Sequence, residues 1–256
     1  MNEAPHEITR FPPLITPYRL RERQDAYAEA VRHAAGVGDE YRGAGSLFYV
    51  GRFELIEFAV VLEPEEPLRI ARKIFYAGMN AVADALALLS PPEKAVHFRY
   101  PGALYFDGAL VGGGRLGISA GCAEDATPDW LVFGAMVRAG GMRELGAGMD
   151  AESMGPEITT LDDEGFEAWN PPEFAASFAR NFLLAVDSWG ERGMVEIGPN
   201  YLSRLEKGKS ETRRGIDENG DLLVHEAGRD PARRVSLVEG LKRSEWFDPL
   251  LNEPKG

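Results

Sequence analysis

The spacing of apolar residues changes character several times along the chain, and each change marks an element. Ala26, Ala30, Val31 and Ala34 recur at helical spacing behind Asp25, a residue suited to capping a helix start, so a helix is predicted over Ala26 to Ala35. Gly36 and Gly38 end it. Ser46–Val50 and Leu55–Leu62 are short runs rich in aromatic and β-branched residues and read as strands, the second stopped by Pro64. Ile70, Ile74, Ala77, Ala81, Val82, Ala85, Leu86 and Leu89 return to helical spacing, which predicts one long helix from Pro67 to Leu89, closed by Pro91 and Pro92. Trp130–Val137 reads as a buried strand, and Pro199–Leu205 as a short helix. Glu173–Trp189 reads as an amphipathic helix with Phe174, Phe178, Phe182, Leu183 and Val186 on one stripe. Residues 1–20 hold Pro5, Pro12, Pro13 and Pro17 and are expected to run extended over the surface. The glycine-rich, acidic stretch Gly140–Asn170 is expected to form a lid or short helical pieces.

The sharpest local pattern lies at Arg99–Leu116, R-Y-P-G-A-L-Y-F-D-G-A-L-V-G-G-G-R-L, which parses as strand, turn, strand. Asp107-Gly108 between Ala103–Phe106 and Ala109–Val111 is a hairpin signal. Gly112, Gly113 and Gly114 interrupt the second strand, where glycine packs no side chain. Such a run points to a place where a ligand or another backbone comes very close. A second hairpin signal, Asn219-Gly220 within Gly215–Val224, follows a change of composition after Lys207. The chain accordingly divides into residues 1–207, carrying the ligand pocket, and a small β-rich module over 208–256.

Composition narrows the classes of function. A chain of 256 residues with 44% apolar content can bury a full core, and no run of apolar residues is long enough to span a membrane. The N-terminus MNEAPHEITR lacks the apolar stretch of a signal peptide. The single cysteine, Cys122, can form no internal disulfide, so a reducing cytoplasm is the expected compartment. The 28 Lys and Arg against 41 Asp and Glu give a net charge of -13, which opposes binding to nucleic acid or anionic lipid. The four histidines do not cluster, so no transition-metal site is expected.

The order of these parts resembles the central motif of the biotin/lipoate protein ligase family, in which a K-W-P-N-D segment leads through a strand and an Asp-Gly turn to a K-x-G-G strand. Arg99-Tyr100-Pro101 lies on the K-W-P part, Asp107-Gly108 on the turn and Gly112-Gly113 on the glycine pair. The N-D pair is replaced by Gly102-Ala103, and the position of the family's catalytic lysine holds Leu110. Gly215–Val224 is similar to a turn in the β-rich C-terminal module of biotin ligases. The resemblance implies an α+β fold, with a mixed sheet and helices on one side, followed by a small β-rich C-terminal domain. It implies biotin, or lipoate or octanoate, as the acid, ATP with Mg²⁺ for its activation, and a biotinyl or lipoyl acceptor domain as partner.

Candidate site residues follow from both readings. Arg99 and Arg115 are candidate catalytic cations, since a guanidinium can fork onto a carboxylate or phosphate. Residues 110 and 115 fall on opposite faces of a regular strand, and a bulge among the glycines would bring them together. Tyr100, Pro101, Leu110 and Gly112–Gly114 are expected to line the pocket. Arg42, Gly43, Gly45, Ser46 and Arg52 occupy the place of the family's glycine- and arginine-rich loop, where successive backbone N–H groups can hold an anion. Cys122 sits in an acidic context that raises a thiol's pKa. Three functions remain open: an ATP-dependent ligase, an ATP-independent acyltransferase of the same superfamily, and a catalytically silent acyl-binding protein.

Overall fold

The computed structural model describes residues 10–38, 41–91, 93–140, 158–166, 169–207, 212–226, 228 and 231–255. The predicted lid falls largely on residues 141–157, and the reading of the N-terminus on residues 1–9, both outside the described residues. Seven strands form one mixed sheet: β1 (Thr16–Leu20), β2 (Ser46–Val50), β3 (Leu55–Leu62), β4 (Val96–Arg99), β5 (Ala103–Phe106), β6 (Ala109–Ile118) and β7 (Leu131–Arg138). Their order across the sheet is β1-β2-β3-β7-β6-β5-β4, with only β1 and β2 parallel.

Side-chain alternation divides the sheet into two faces. On one face Ile56, Phe58, Val60, Leu104, Phe106, Phe133 and Val137 join the main core. That face carries α2 (Leu68–Ala71), α3 (Ile74–Ala87), α4 (Pro171–Arg192) and α5 (Met194–Arg204). All of α3 except Asp84 and Ala87 is buried, because α4 and α5 cover the side it turns away from the sheet. Asn170 and Pro171-Pro172 start α4, the Asn170 side chain accepting from the Glu173 N–H at 2.9 Å. The predicted Pro67–Leu89 helix is split at Arg72-Lys73. There the backbone bonds tighten to a three-residue spacing, Lys73 N–H to the Ile70 carbonyl and Tyr76 N–H to the Lys73 carbonyl, while Arg72 pairs with Glu124 and Lys73 donates to the Glu218 carbonyl at 3.0 Å.

The long helices lie on one side, as expected, while α1 (Ala26–Ala34) is added on the other. It packs Ala26, Ala30 and Ala34 on Phe48, Ala59, Val61 and Val132. Beside it, a third cluster of Leu55, Ala103, Tyr105, Leu110, Met136 and Trp246 covers the rest of that face.

The C-terminal part adds β8 (Arg213–Ile216), β9 (Leu222–His225) and β10 (Arg233–Val235) as an antiparallel sheet. Helix α6 (Leu237–Arg243) and the short pair β11 (Phe247–Asp248) and β12 (Glu253–Pro254) follow. Leu222, Val224 and Leu237 belong to the main core, so the module is anchored by shared apolar packing. Tyr76 and Tyr100 both donate to the Gly220 carbonyl, tying the β8–β9 turn to α3 and to the Arg99–Ala103 turn.

Candidate functional site

The Asp107-Gly108 turn has φ of 47° and 89°, the left-handed pair that a tight hairpin needs. It brings β6 back beside β5, but the register slips: Tyr105 faces Leu110 while Leu104 faces Gly112. Val111 is thus the extra residue of a bulge. The bulge changes the parity of everything after it, so Leu110, Gly113 and Arg115 share the face opposite the long helices.

Each glycine is met by the protein's own chain. A Cβ at Gly112 would run into the β7 backbone at Met136, one at Gly113 into the Trp246 indole, and one at Gly114 into Met79 of α3. Trp246 Nε1 also donates to the Gly114 carbonyl at 3.3 Å. Of the two readings of the glycine run, the structure displays close approach of another part of the chain.

Arg115 is half-buried on this face, its guanidinium 4.0 Å from the Tyr27 ring centroid and 4.6 Å from that of Phe247. Asp25 pairs with it at 3.4 Å. Burial lowers the Arg115 pKa, but a guanidinium still keeps its charge. Glu57, 3% exposed, accepts from the Ala26 N–H at 2.6 Å, and burial pushes its carboxyl up to about 7. Arg52 lies on the β2–β3 connection and pairs with Glu253 at 3.5 Å, while Arg138 donates to the Pro254 carbonyl. Gly113, Arg115 and Arg52 are therefore each covered by the same short segment, through Trp246, Phe247 and Glu253.

Beside Trp246 a cleft of about 660 Å³ opens between the Arg99–Ala103 turn and α6. Its floor is apolar, with Ala103, Tyr105, Leu110 and Trp246. Its rim is cationic, carrying Arg99, Arg233, Arg234, Arg243 and Lys255 against Glu239 and Glu245. Arg99 stacks 3.9 Å from the Tyr105 ring centroid and pairs with Glu206 at 2.8 Å. Tyr100 and Pro101 line the same cleft, with Tyr201 donating to the Pro101 carbonyl at 2.6 Å. Leu110 is 1% exposed, so the position matched to the family's lysine is apolar and enclosed.

The sequence model of the biotin/lipoate A/B protein ligase family matches residues 11–203. The chain belongs to this family. Among solved structures it is similar to a biotin protein ligase-like protein of unknown function from Silicibacter sp. TM1040, with 28% identity and a TM-score of 0.75 over 91% of this chain and 98% of that one. It is also similar to the biotin protein ligase of Aquifex aeolicus, with 16% identity and a TM-score of 0.65 over 88% of this chain and 96% of that one. The Aquifex ligase in complex with biotin and ATP aligns with a TM-score of 0.62 at 16% identity, over 86% of this chain and 94% of that one. No curated protein matches the chain.

Against this biotin/lipoate ligase frame, the structure brings Arg99, Tyr100, Pro101, Leu110 and Gly114 together at the cleft. Gly112, Gly113 and Arg115 continue the same strand, and Arg52 lies at the same end of the sheet. It does not bring Arg42, Gly43, Gly45 and Ser46 to them. Gly45 N–H donates to the Val61 carbonyl, at the sheet end opposite Gly112, and Ala44-Gly45 border a separate groove with Glu63, Glu65 and Glu66. Arg42 stacks 4.1 Å from the Tyr18 ring centroid, at the far edge strand. Cys122 Sγ donates to the Ala123 and Ala126 carbonyls at 3.4 Å, and the residue packs against the main core. Sequence reasoning missed Trp246 and the cations of β10 and α6, because nothing local in 230–255 signals that this stretch returns to the glycine strand.

Proposed function

We propose that this chain binds a small carboxylic acid, or its adenylate, in the cleft beside the Arg99–Ala103 turn, and passes the acyl group to a lysine of a biotinyl or lipoyl acceptor domain. The observation that carries this reading is the cleft itself. It is lined by Arg99, Tyr100, Pro101, Ala103 and Leu110 from the stretch matched to the family motif, and it is divided into an apolar floor and a cationic rim. That division suits an acid with a hydrocarbon body such as biotin, lipoate or octanoate, and the volume is that of an ordinary small-molecule site. The similarity to a ligase that binds biotin and ATP supports the same class.

ATP would enter as co-substrate: attack by the acid's carboxylate on the α-phosphorus releases pyrophosphate, and attack by the acceptor amine on the acyl carbon then releases AMP. The cationic rim fits the nucleotide's oxygens. Among the described residues no group of three or more His, Cys, Asp or Glu could hold a metal ion, so no protein ligands are assigned to Mg²⁺. No helix among the described residues is long and apolar enough to cross a membrane, and the lone Cys122 suits a cytoplasmic location.

Leu110 favours a second reading. With no amine at this buried position, the protein lacks the family's cation there, and a preorganised cation at developing charge is commonly worth about 2.7–4 kcal/mol of barrier. A binding protein that retains the acyl cleft without efficient transfer accounts for that. Thermal melts with biotin, lipoate and octanoate, each with and without ATP and Mg²⁺, test the shared premise. Near-saturating ligand, at about one hundred times Kd, adds about 2.7 kcal/mol and raises Tm by roughly 5–10 °C. Melts that no acid shifts under either condition would overturn both readings.

A further inference from the structure

The groove bordered by Ala44-Gly45 differs from the acyl cleft in both position and charge. The cleft opens on the sheet face opposite the long helices, whereas this groove has Val60, Ile74, Leu131 and Phe182 of the main core on its floor, with α3 and α4 beside it. It lies where Leu62 pairs with Leu131, at the far end of β3 from the Leu55 and Arg138 pair. Its volume of about 500 Å³ falls within the range of about 300–1,000 Å³ usual for small-ligand sites. We infer that this groove binds a primary ammonium ion carried on an apolar body, such as an alkylamine. The site is separate from the acyl cleft and does not depend on the function proposed for it.

The first argument is the apolar surface left open. Leu62, Leu183, Val186 and Trp189 line the groove and are only partly buried, although they pack on the main core. Leu14, also on the lining, is 75% exposed. Apolar surface in a concave place suits a ligand with a hydrocarbon body rather than a hydrated ion.

The second argument is the sign of the charge. Glu63, Glu65 and Glu66 line the groove, and no Lys, Arg or His among the described residues does. Glu63 accepts from the Tyr41 hydroxyl, and Glu66 accepts from the Trp189 Nε1–H at 3.4 Å. Both donors are neutral, so neither contact offsets a carboxylate charge, and the groove disfavours an acid and favours a cation. The five cations bordering the acyl cleft make the opposite selection.

The third argument is Trp189, near the end of α4. Its indole lines the groove and is held by Glu66, so an aromatic ring and a carboxylate share one wall. Aromatic rings attract ammonium ions, and an ammonium with three N–H donors and no acceptor matches a set of carboxylate oxygens. An alkyl body over Ile74 and Phe182 then places the ammonium at the loop carrying Glu63, Glu65 and Glu66.

The test is calorimetric titration of the full chain with n-octylammonium chloride, below micelle formation, and separately with 1-octanol, which has the same body and no charge. The proteins compared are wild type, Glu63→Gln, Glu65→Gln, Glu66→Gln, Val186→Trp, whose larger side chain fills the groove, and Glu22→Gln as a control that removes an exposed carboxylate elsewhere. Glu63 and Glu65 are exposed, so their variants should fold even if Val186→Trp does not, and melts without ligand verify each protein. The expected result is octylammonium binding to wild type that is tighter than octanol binding. It is weakened about three-fold or more by each groove Glu→Gln substitution, abolished in Val186→Trp and unchanged in Glu22→Gln. No octylammonium binding to wild type, octanol binding as tight as the amine, or an equal loss in Glu22→Gln would overturn the inference. So would unchanged binding in a folded Val186→Trp. Size-exclusion chromatography of the same proteins covers another occupant: a wild-type dimer that Val186→Trp splits would show that a second copy fills the groove, against the inference. Octanoate titrated in parallel keeps the two sites distinguishable. Octanoate bound equally by wild type and Val186→Trp, with no octylammonium bound, would sink the amine site and leave the acyl cleft standing. Octylammonium bound as expected, with no acid bound under any condition, would do the reverse.

Discussion

Leu110 and Glu57 show how far single residues on one sheet face redirect its chemistry. Leu110 sits among Leu55, Tyr105, Met136 and Trp246, so the position that carries an amine in the ligase motif here contributes only packing. Glu57 is the opposite case, a carboxyl buried beside Ala26 with Arg52 and Arg115 too weakly coupled to offset its desolvation. Its folded pKa is raised from 4.5 to about 7, so the folded state holds a proton that the unfolded chain has released. Both states are protonated below pH 4.5. Stability from this group is therefore fully present there and is lost as pH rises toward 7, by roughly 3 kcal/mol in all. Glu57→Gln keeps an acceptor for the Ala26 N–H and removes the charge. It is expected to stabilise the protein at pH 8 by up to about 3 kcal/mol and to have little effect at pH 4.5, as read by urea unfolding at both pH values. Equal effects at the two pH values would show that Glu57 ionises freely in the folded protein.

At the scale of elements, the glycine strand shows what the sequence made legible and what it did not. The hairpin, its turn and its partner strand were readable because each depends on neighbours a few residues away: Asp107 and Gly108 adopt the left-handed turn, and β7 pairs as a short apolar run. The glycines offered a bulge only as an alternative to a regular strand, since its presence and its place at Val111 depend on how β5 and β6 register against each other, and it puts Arg115 on the face of Leu110. Strand β1 escaped because Thr16–Leu20 lies at the sheet edge, largely solvent-facing, with Pro17 as its second residue. The break at Arg72-Lys73 escaped because its partners, Glu124 and Glu218, lie far away in sequence. The same holds for Trp246 over Gly113, a contact across more than one hundred residues that no local pattern announces. Gly113→Ala tests that contact. The added methyl would overlap the indole and the Gly102 carbonyl, so a loss of about 1–3 kcal/mol is expected, together with a red shift of the fluorescence as Trp246 moves toward water. Unchanged stability and emission would contradict the described packing.

For the molecule as a whole, the family frame and the departures from it meet at one place. The seven-stranded sheet with its layer of long helices is the architecture of the biotin/lipoate A/B protein ligase family, and the C-terminal part is joined to it through Leu222, Val224 and Leu237 in a common core. That shared packing sets α6 and the chain end across from the Arg99–Ala103 turn, so a cleft forms between parts nearly 140 residues apart in sequence. Had the two parts been joined only by a linker, no such cleft would have a fixed shape. The C-terminal part is therefore one wall of the cleft, and the proposed function places the acid there. A crystal structure of the full chain with whichever of biotin, lipoate or octanoate stabilises it most is the most direct measurement. The account predicts the acid between the Arg99–Ala103 turn and α6, its hydrocarbon body on Tyr105, Leu110 and Trp246 and its carboxylate toward the cationic rim. An acid bound in the groove beside Glu63, Glu65 and Glu66, or a cleft left empty at saturating acid, would contradict it.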